Sequence, residues 1–304
     1  MSELIAFIGV GNMGNPMAEN LKKAGKKVKV FDVSKEMIEK AKKRYLDVTE
    51  SIDALITSEV TTVITMLPEG KDSKEVYLGE KGIIGKVSKN CLLIDCSTID
   101  IQTSIEIGKK ATEKGIKMID APVSGGVMGA QKATLNIMVG GSKEAFDLAL
   151  PLLKIMGKNI FHAGDLGSGN GAKICNNMSL GITMIAASES LMLAKRLNMD
   201  IKKVHEIMKN ASGNSWPISV YPPLPGLIEG TPSNNNYRPG FSAGMMNKDL
   251  KLANECAKQV KASTPLGTMA LQIYNKFCEE GNDTKDFSAI SKVIGGDAWN
   301  YPID

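Results

Sequence analysis

Leu4-Ile5-Ala6-Phe7-Ile8-Gly9-Val10-Gly11-Asn12-Met13-Gly14 is the stretch that decides the first half of the fold. Five apolar residues in a row read as a strand buried on both faces, and Gly9 ends it sharply. From Met13 to Ala24 the spacing turns helical, so strand, tight turn and helix follow in order. Gly9 permits the turn, Gly11 lets the backbone approach a pyrophosphate, and Gly14 allows close helix–strand packing. Asn12 and Met13 complete the loop, and the helix N-terminus behind it offers unpaired N–H groups to phosphates. A lone glycine fingerprint is weak, but here Asp32 follows a second strand, Val28–Phe31, near the expected offset. A carboxylate there accepts hydrogen bonds from ribose hydroxyls and repels a 2′-phosphate, which favours NAD over NADP. The plainer reading of Asp32 is a strand-end residue that shapes the next turn. Ser34 and Lys35 stand near enough to soften the cofactor preference.

Outward from this segment, short apolar runs alternate with amphipathic ones, the pattern of a doubly wound parallel sheet. Further strands are expected at Thr62–Met66, Leu92–Asp95, Lys117–Asp120, Leu135–Val139 and Asn159–Phe161, with helices at Lys35–Arg44, Ile101–Lys114 and Lys143–Met156. The link from Ala121 to Ala133 is short for a crossover helix, so a mixed or antiparallel edge is expected. After Gly169 strand patterns stop. Helices are expected at Gly171–Leu197, Ile201–Asn210, Ala243–Lys261 and Pro265–Glu280, with a Pro- and Asn-rich loop at Tyr221–Gly240 that is too long for a plain connector. The fold class is therefore an α/β Rossmann-type N-terminal domain, 1–165, then an all-α C-terminal domain, 166–304, joined by a long interdomain helix.

Composition narrows the function. The 304 residues suffice for two cores, and 43% hydrophobic with 23% charged residues is ordinary for a globular protein. A net charge of +4 comes from scattered lysine pairs such as Lys22-Lys23 and Lys42-Lys43, without aromatic interleaving, so neither nucleic acid nor membrane is an expected partner. Five irregularly spaced cysteines and two separate histidines, His162 and His205, offer neither a disulfide frame nor a metal site. His162 reads as a packed or surface residue and His205 as a surface helix residue. The acidic Glu3 and the strand at Leu4 leave no room for a leader pattern, so a cytoplasmic protein or the mature form of an organellar one is expected.

Two further segments carry chemistry. Asp120-Ala121-Pro122-Val123-Ser124-Gly125-Gly126 ends a strand at the carboxyl edge of the sheet, where ligands of open α/β sheets bind. Its glycines either form a simple turn or leave N–H groups free for a substrate carboxylate. In Gly167-Ser168-Gly169-Asn170-Gly171-Ala172-Lys173-Ile174-Cys175-Asn176-Asn177, a glycine-broken segment opens a helix that places Lys173 and Asn177 one turn apart on one face. On spacing alone, that face reads first as a solvated one, since ordinary helix surfaces carry lysine too. Leu67, Pro68 and Thr98 also follow strand ends at the same edge.

Taken in order, the fingerprint with Met13, Asp120-x-x-x-Ser124-Gly125-Gly126, Gly167-x-Gly169-x-x-x-Lys173-x-x-x-Asn177 and Lys248-Asp249 resemble the β-hydroxyacid dehydrogenases. Lys173–Met178, Pro232–Tyr237 and Phe241–Leu250 resemble the branch of that family that acts on 3-hydroxyisobutyrate in valine degradation, with methylmalonate semialdehyde as product. The resemblance implies an NAD-dependent oxidoreductase, active in the cleft between its domains and assembled as a homodimer or homotetramer. It makes Lys173 the catalytic lysine and Lys248 a second lysine near the nicotinamide, next to Asp249. Ser124, Gly125, Gly126 and Asn177 match substrate contacts, and Leu67, Pro68, Asp72 and Thr98 match cofactor contacts. Asn214 departs from the arginine of animal members and puts the pocket's shape in question. Trp216 either walls that pocket or packs in the helical domain. The chemistry agrees: oxidation of an alcohol needs a group to take the hydroxyl proton, and no histidine–carboxylate dyad is evident. Sister enzymes remain as alternatives: tartronate semialdehyde reductase, a γ-hydroxybutyrate/succinic semialdehyde enzyme, or a serine dehydrogenase. 6-Phosphogluconate dehydrogenase shares motifs but has a much larger helical domain. A non-catalytic NAD-binding module is the distant alternative.

Overall fold

The computed structural model describes residues 4–296, so Glu3 and the outermost ends of the two expected domains lie outside the described residues. Nine strands form one sheet: β1 (Leu4–Ile8), β2 (Lys27–Phe31), β3 (Asp47–Val48), β4 (Val60–Thr65), β5 (Leu92–Asp95), β6 (Lys117–Asp120), β7 (Val123–Ser124), β8 (Leu135–Gly140) and β9 (Gly157–Gly164). Their order is β3-β2-β1-β4-β5-β6-β8-β7, with β9 paired to β8. The pairs from β3 through β6 are parallel, with β1 in register with β2 from Leu4↔Lys27 to Ile8↔Phe31. β8 runs antiparallel to β6 and β7, which is the mixed edge expected from the short 121–133 link.

Eight helices accompany the strands: α1 (Gly14–Lys23), α2 (Lys35–Lys43), α3 (Ile52–Leu55), α4 (Gly70–Leu78), α5 (Ile101–Glu113), α6 (Gly126–Gln131), α7 (Lys143–Met156) and the long α8 (Ser168–Arg196). β1 is apolar and buried along its whole length because helices cover both faces of the sheet there. One core holds Phe7, Val30 and Ile94 with Met17 and Leu21 of α1, and the other holds Ala6, Ile8 and Leu93 with Ile107 and Ala111 of α5. Short β3, α3 and α6 carry too few residues to show a period, which is why the sequence pattern passed over them. Pro151 sits inside α7.

By its contacts the chain divides into two compact units, 1–173 and 174–304. The second is helical: after α8 come α9 (Ile201–Asn210), α10 (Trp216–Ser219), α11 (Ala243–Gln259), α12 (Pro265–Phe277) and α13 (Ile290–Gly295). Met184, Met246, Leu250, Tyr274 and Phe287 form its larger core. The loop before α11 is pinned rather than slack. Asp286 accepts from Tyr221 Oη at 2.9 Å and from the N–H groups of Gly240 and Phe241 at 3.0 and 3.2 Å.

His205 corrects the sequence reading. It is 4% exposed, and its Nε2 lies 2.7 Å from the Ile218 carbonyl, so it joins α9 to α10 instead of facing solvent. The Lys-Lys-Val-His-Glu pattern around it disguised a buried position. His162 is exposed and stacks on Phe146 at 4.7 Å. All five cysteines are free. Among the described residues no helix is long and apolar enough to cross a membrane.

Candidate active site

In the first unit the glycine loop has the shape the fingerprint requires. Gly9 adopts φ +90°, and a Cβ there would collide with the Met66 carbonyl. A Cβ on Gly14 would collide with the Gly9 carbonyl and touch the Phe7 ring, so α1 meets β1 only because that position is glycine. A Cβ on Gly11 would meet nothing within 4 Å, leaving open space where the backbone can approach a pyrophosphate. Asn12 is exposed, and Met13 is half-buried against the core. Asp32 ties the loop to the end of β2: its Oδ2 accepts from Val10 N and its Oδ1 from Ser34 N, both at 2.8 Å. These residues fit a dinucleotide.

The next two strand ends are joined through a buried polar network. Thr65 Oγ1 donates to Asp95 Oδ1 at 2.8 Å, and Ser97 N donates to the same oxygen at 2.9 Å. Tyr77 Oη lies 2.8 Å from Thr65 Oγ1 and must be the donor, since the single threonine proton is already given to Asp95. Ser97 Oγ accepts from Leu67 N at 2.8 Å. Burial pushes the Asp95 carboxyl above the ordinary carboxylate range, opposed by hydrogen bonds from Ser97 and Thr65. Burial pushes the Tyr77 phenol well up too. Leu67, a candidate cofactor contact, is thus tied through Ser97 to one buried acid. Asp72 sits half-buried in the first turn of α4, and Pro68 precedes that helix. The Asp95-x-Ser97-Thr98 spacing at a strand end was the available signal.

Ser124 ends β7, and Gly125 and Gly126 follow with φ of +132° and +62°, left-handed conformations that favour glycine. Lys173 lies in α8 at 7% exposure, the last residue of the first unit. A lysine so buried is unusual on an ordinary helix face.

In the second unit Asn177, Lys248 and Asp249 are gathered. Asn177 is 1% exposed, and its Nδ2 donates to Asp249 Oδ2 at 2.5 Å. Asn176 Nδ2 donates to Asn177 Oδ1 at 3.0 Å. Lys248 Nζ stands 3.3 Å from Asp249 Oδ1. Asp249, 1% exposed, is therefore the hub that holds the amide and the second lysine. Trp216 is 46% exposed and stacks on Tyr221 at 4.8 Å. Asn214 is exposed.

Residues 4–164 match the family described as the NAD binding domain of 6-phosphogluconate dehydrogenase, and 167–294 match the NAD-binding family of NADP-dependent 3-hydroxyisobutyrate dehydrogenase. The chain belongs to the β-hydroxyacid dehydrogenase family, NAD-dependent oxidoreductases that act on CH–OH groups. Within that family its similarity is to 3-hydroxyisobutyrate dehydrogenases. It is 44% identical to the one from Pseudomonas aeruginosa, covering 96% of this chain and 98% of the relative. It is 43% identical to the mitochondrial one from Homo sapiens, covering 95% and 86%. An NAD-dependent L-serine dehydrogenase of Pseudomonas aeruginosa is 41% identical over 95% and 97%. The solved 3-hydroxyisobutyrate dehydrogenase of Mycobacterium tuberculosis with L-serine matches at TM-score 0.91 and 38% identity, over 97% of this chain and all of that one.

Proposed function

We propose that this chain oxidises 3-hydroxyisobutyrate to methylmalonate semialdehyde with NAD, a step of valine breakdown. The observation that carries the reading is 44% identity along almost the whole chain to an enzyme of that name. When bound, NAD accepts a hydride from the carbinol carbon. Lys173 takes the hydroxyl proton and, in the reverse direction, returns it to the aldehyde oxygen. Asn177 and Lys248, held by Asp249, orient the reacting oxygen and the nicotinamide side of the site. Ser124, with the left-handed backbone at Gly125 and Gly126, receives the substrate carboxylate. Trp216 walls the substrate. Gly9, Gly11, Asn12, Met13, Gly14, Asp32, Leu67, Pro68, Asp72 and Thr98 hold the dinucleotide. In this reading residues 1–165 serve the cofactor and, at Ser124–Gly126, the substrate carboxylate, and 166–304 serve the substrate and assembly as a homodimer or homotetramer. The protein works in the cytoplasm or, as a mature form, in a mitochondrial matrix.

L-serine dehydrogenation is the second reading, favoured by the 41% identical relative and by the L-serine in the solved neighbour. The two substrates share a primary 3-hydroxyl and a carboxylate. A pocket separates groups of methyl size by only about 1–3 kcal/mol, so cross-activity is expected. The deciding measurement is NADH formation with 3-hydroxyisobutyrate beside L-serine, D-glycerate and γ-hydroxybutyrate. The highest kcat/KM for 3-hydroxyisobutyrate supports the proposal, and a higher value for any other acid replaces it. No turnover of any, with NAD still bound, points to the binding module.

A further inference from the structure

Helix α8 begins in an unusual way. The first N–H groups of a helix lack partners within it, and a side chain at the preceding position ordinarily supplies one. Here the acceptor comes from a distant strand. Asp120, the last residue of β6, accepts from Gly167 N on Oδ1 at 2.8 Å and from Asn170 N on Oδ2 at 2.7 Å. Asn170 Nδ2 also lies 3.5 Å from Oδ2. The Asn170 amide carries the connection onward, donating to Ser104 Oγ of α5 at 2.8 Å and accepting from Ile99 N at 3.0 Å. Asp120, Asn170 and Ser104 are all 1% exposed or less. The first turn of α8 is thus bonded to β6, to α5 and to the segment after β5.

The glycines around this carboxylate make room for it. A Cβ on Gly140 would collide with Asp120 Oδ1. A Cβ on Gly169 would stand 2.5 Å from the Met138 carbonyl and 2.8 Å from Asp120 Oδ2. Gly167 adopts φ +88°, and a Cβ there would stand 2.9 Å from Ile105. None of these positions faces open space, in contrast to Gly11.

We propose that Asp120 is a positioning residue for Lys173, fixing the residue at which α8 starts and hence the direction in which the lysine points. This rests on Lys173 being the base. Lys173 comes three residues after Asn170, on the same face one turn along. Each residue turns the helix by about 100°, so a start displaced by one residue would swing the lysine away from its place. The Gly167-x-Gly169-x-x-x-Lys173 spacing is then a measured distance from anchor to base. Its two glycines serve the anchor, not a bound ligand.

The test compares the full-length protein with Asp120→Asn, which keeps the size but sets an amide N–H against one of the two backbone donors. Amide hydrogen exchange over 167–173 is expected to accelerate roughly tenfold, the scale of a lost helix cap, while β1 and β5 stay protected. Counted per NADH-binding site, kcat should fall about 10- to 100-fold, as for a catalytic group moved by about an ångström. The KM for NAD should stay within about twofold of wild type. The deuterium isotope effect on kcat, with substrate labelled at the carbinol carbon, should rise as the proton and hydride steps become limiting. Unchanged exchange over 167–173 overturns the proposal, and so does faster exchange with kcat per site and isotope effect both unchanged. If Asp120→Asn does not fold, Asn170→Ala keeps the carboxylate and its two backbone bonds. It should shift exchange and kcat per site in the same direction by a few-fold, and no change in either overturns the proposal. A wild type that turns over none of the hydroxyacids defeats the functional reading alone, because the exchange measurement still decides the anchor.

Discussion

Lys173 and Asp32 carry the two sharpest consequences at the residue scale. Lys173 is 7% exposed on a helix whose neighbouring positions 175 and 176 face solvent, so its burial is local and specific. A positioned acid–base group contributes about 10²–10⁴-fold to rate. Lys173→Ala should therefore lower kcat by that factor while the NADH Kd, read by fluorescence titration, stays within a few-fold. Wild-type turnover in the variant would remove the lysine from the mechanism. Asp32 anchors Val10 N and Ser34 N, and in the proposed function it also holds the dinucleotide. Asp32→Ser removes the charge that repels a 2′-phosphate. The NADP-to-NAD ratio of kcat/KM is expected to rise roughly 10- to 100-fold, equivalent to about 1.4–2.8 kcal/mol. NAD binding itself should weaken, because the loop loses its tie. A ratio that does not move would assign cofactor choice to other residues.

Between elements, the buried acid Asp95 joins β4, β5 and the loops that follow them, with Tyr77 of α4 at the far end of the chain of hydroxyls. Its carboxyl is raised by burial, so the folded protein holds that proton more tightly than the unfolded chain. Stability from this group is full below the ordinary carboxylate pKa of about 4 and declines as pH rises through the raised folded value. Asp120 and Asp286 are raised for the same first reason and act in the same direction. Asp95→Asn removes one titration while keeping the shape and one carbonyl acceptor. The melting temperature of the variant minus that of wild type should therefore become more favourable to the variant as pH rises from about 4 to 7. A difference that is flat or falls with pH would contradict the buried-acid account. Leu67 N hangs from the same network, so the variant should also weaken NADH binding modestly.

At the scale of the whole molecule, what the sequence made legible was whatever repeats with a period or ends in a glycine turn. β1, β5, β6, α7 and α9 fall where the patterns placed them, because long apolar and amphipathic runs leave one reading. The glycine loop and Asp32 were legible because backbone conformation dictates those residue types. The clusters around Asp95, Asp120, Asp249 and Asp286 were not, because each joins residues 30 or more positions apart and no local rule connects them. Buried His205 was missed because its partner, 13 positions on, is the backbone of another helix. Since each compact unit has cores of its own, and the dinucleotide loop lies in the first, ligand binding should stabilise the protein by mass action on that unit. NADH at 100 times its Kd contributes about 2.7 kcal/mol. For a unit of this size that corresponds to a rise of about 5–10 °C in the transition that carries it, read by calorimetry. NADPH at the same concentration should give a smaller rise, and Asp32→Ser should narrow the gap between the two. Equal rises with both cofactors in the wild type would show that the carboxylate at Asp32 does not select between them.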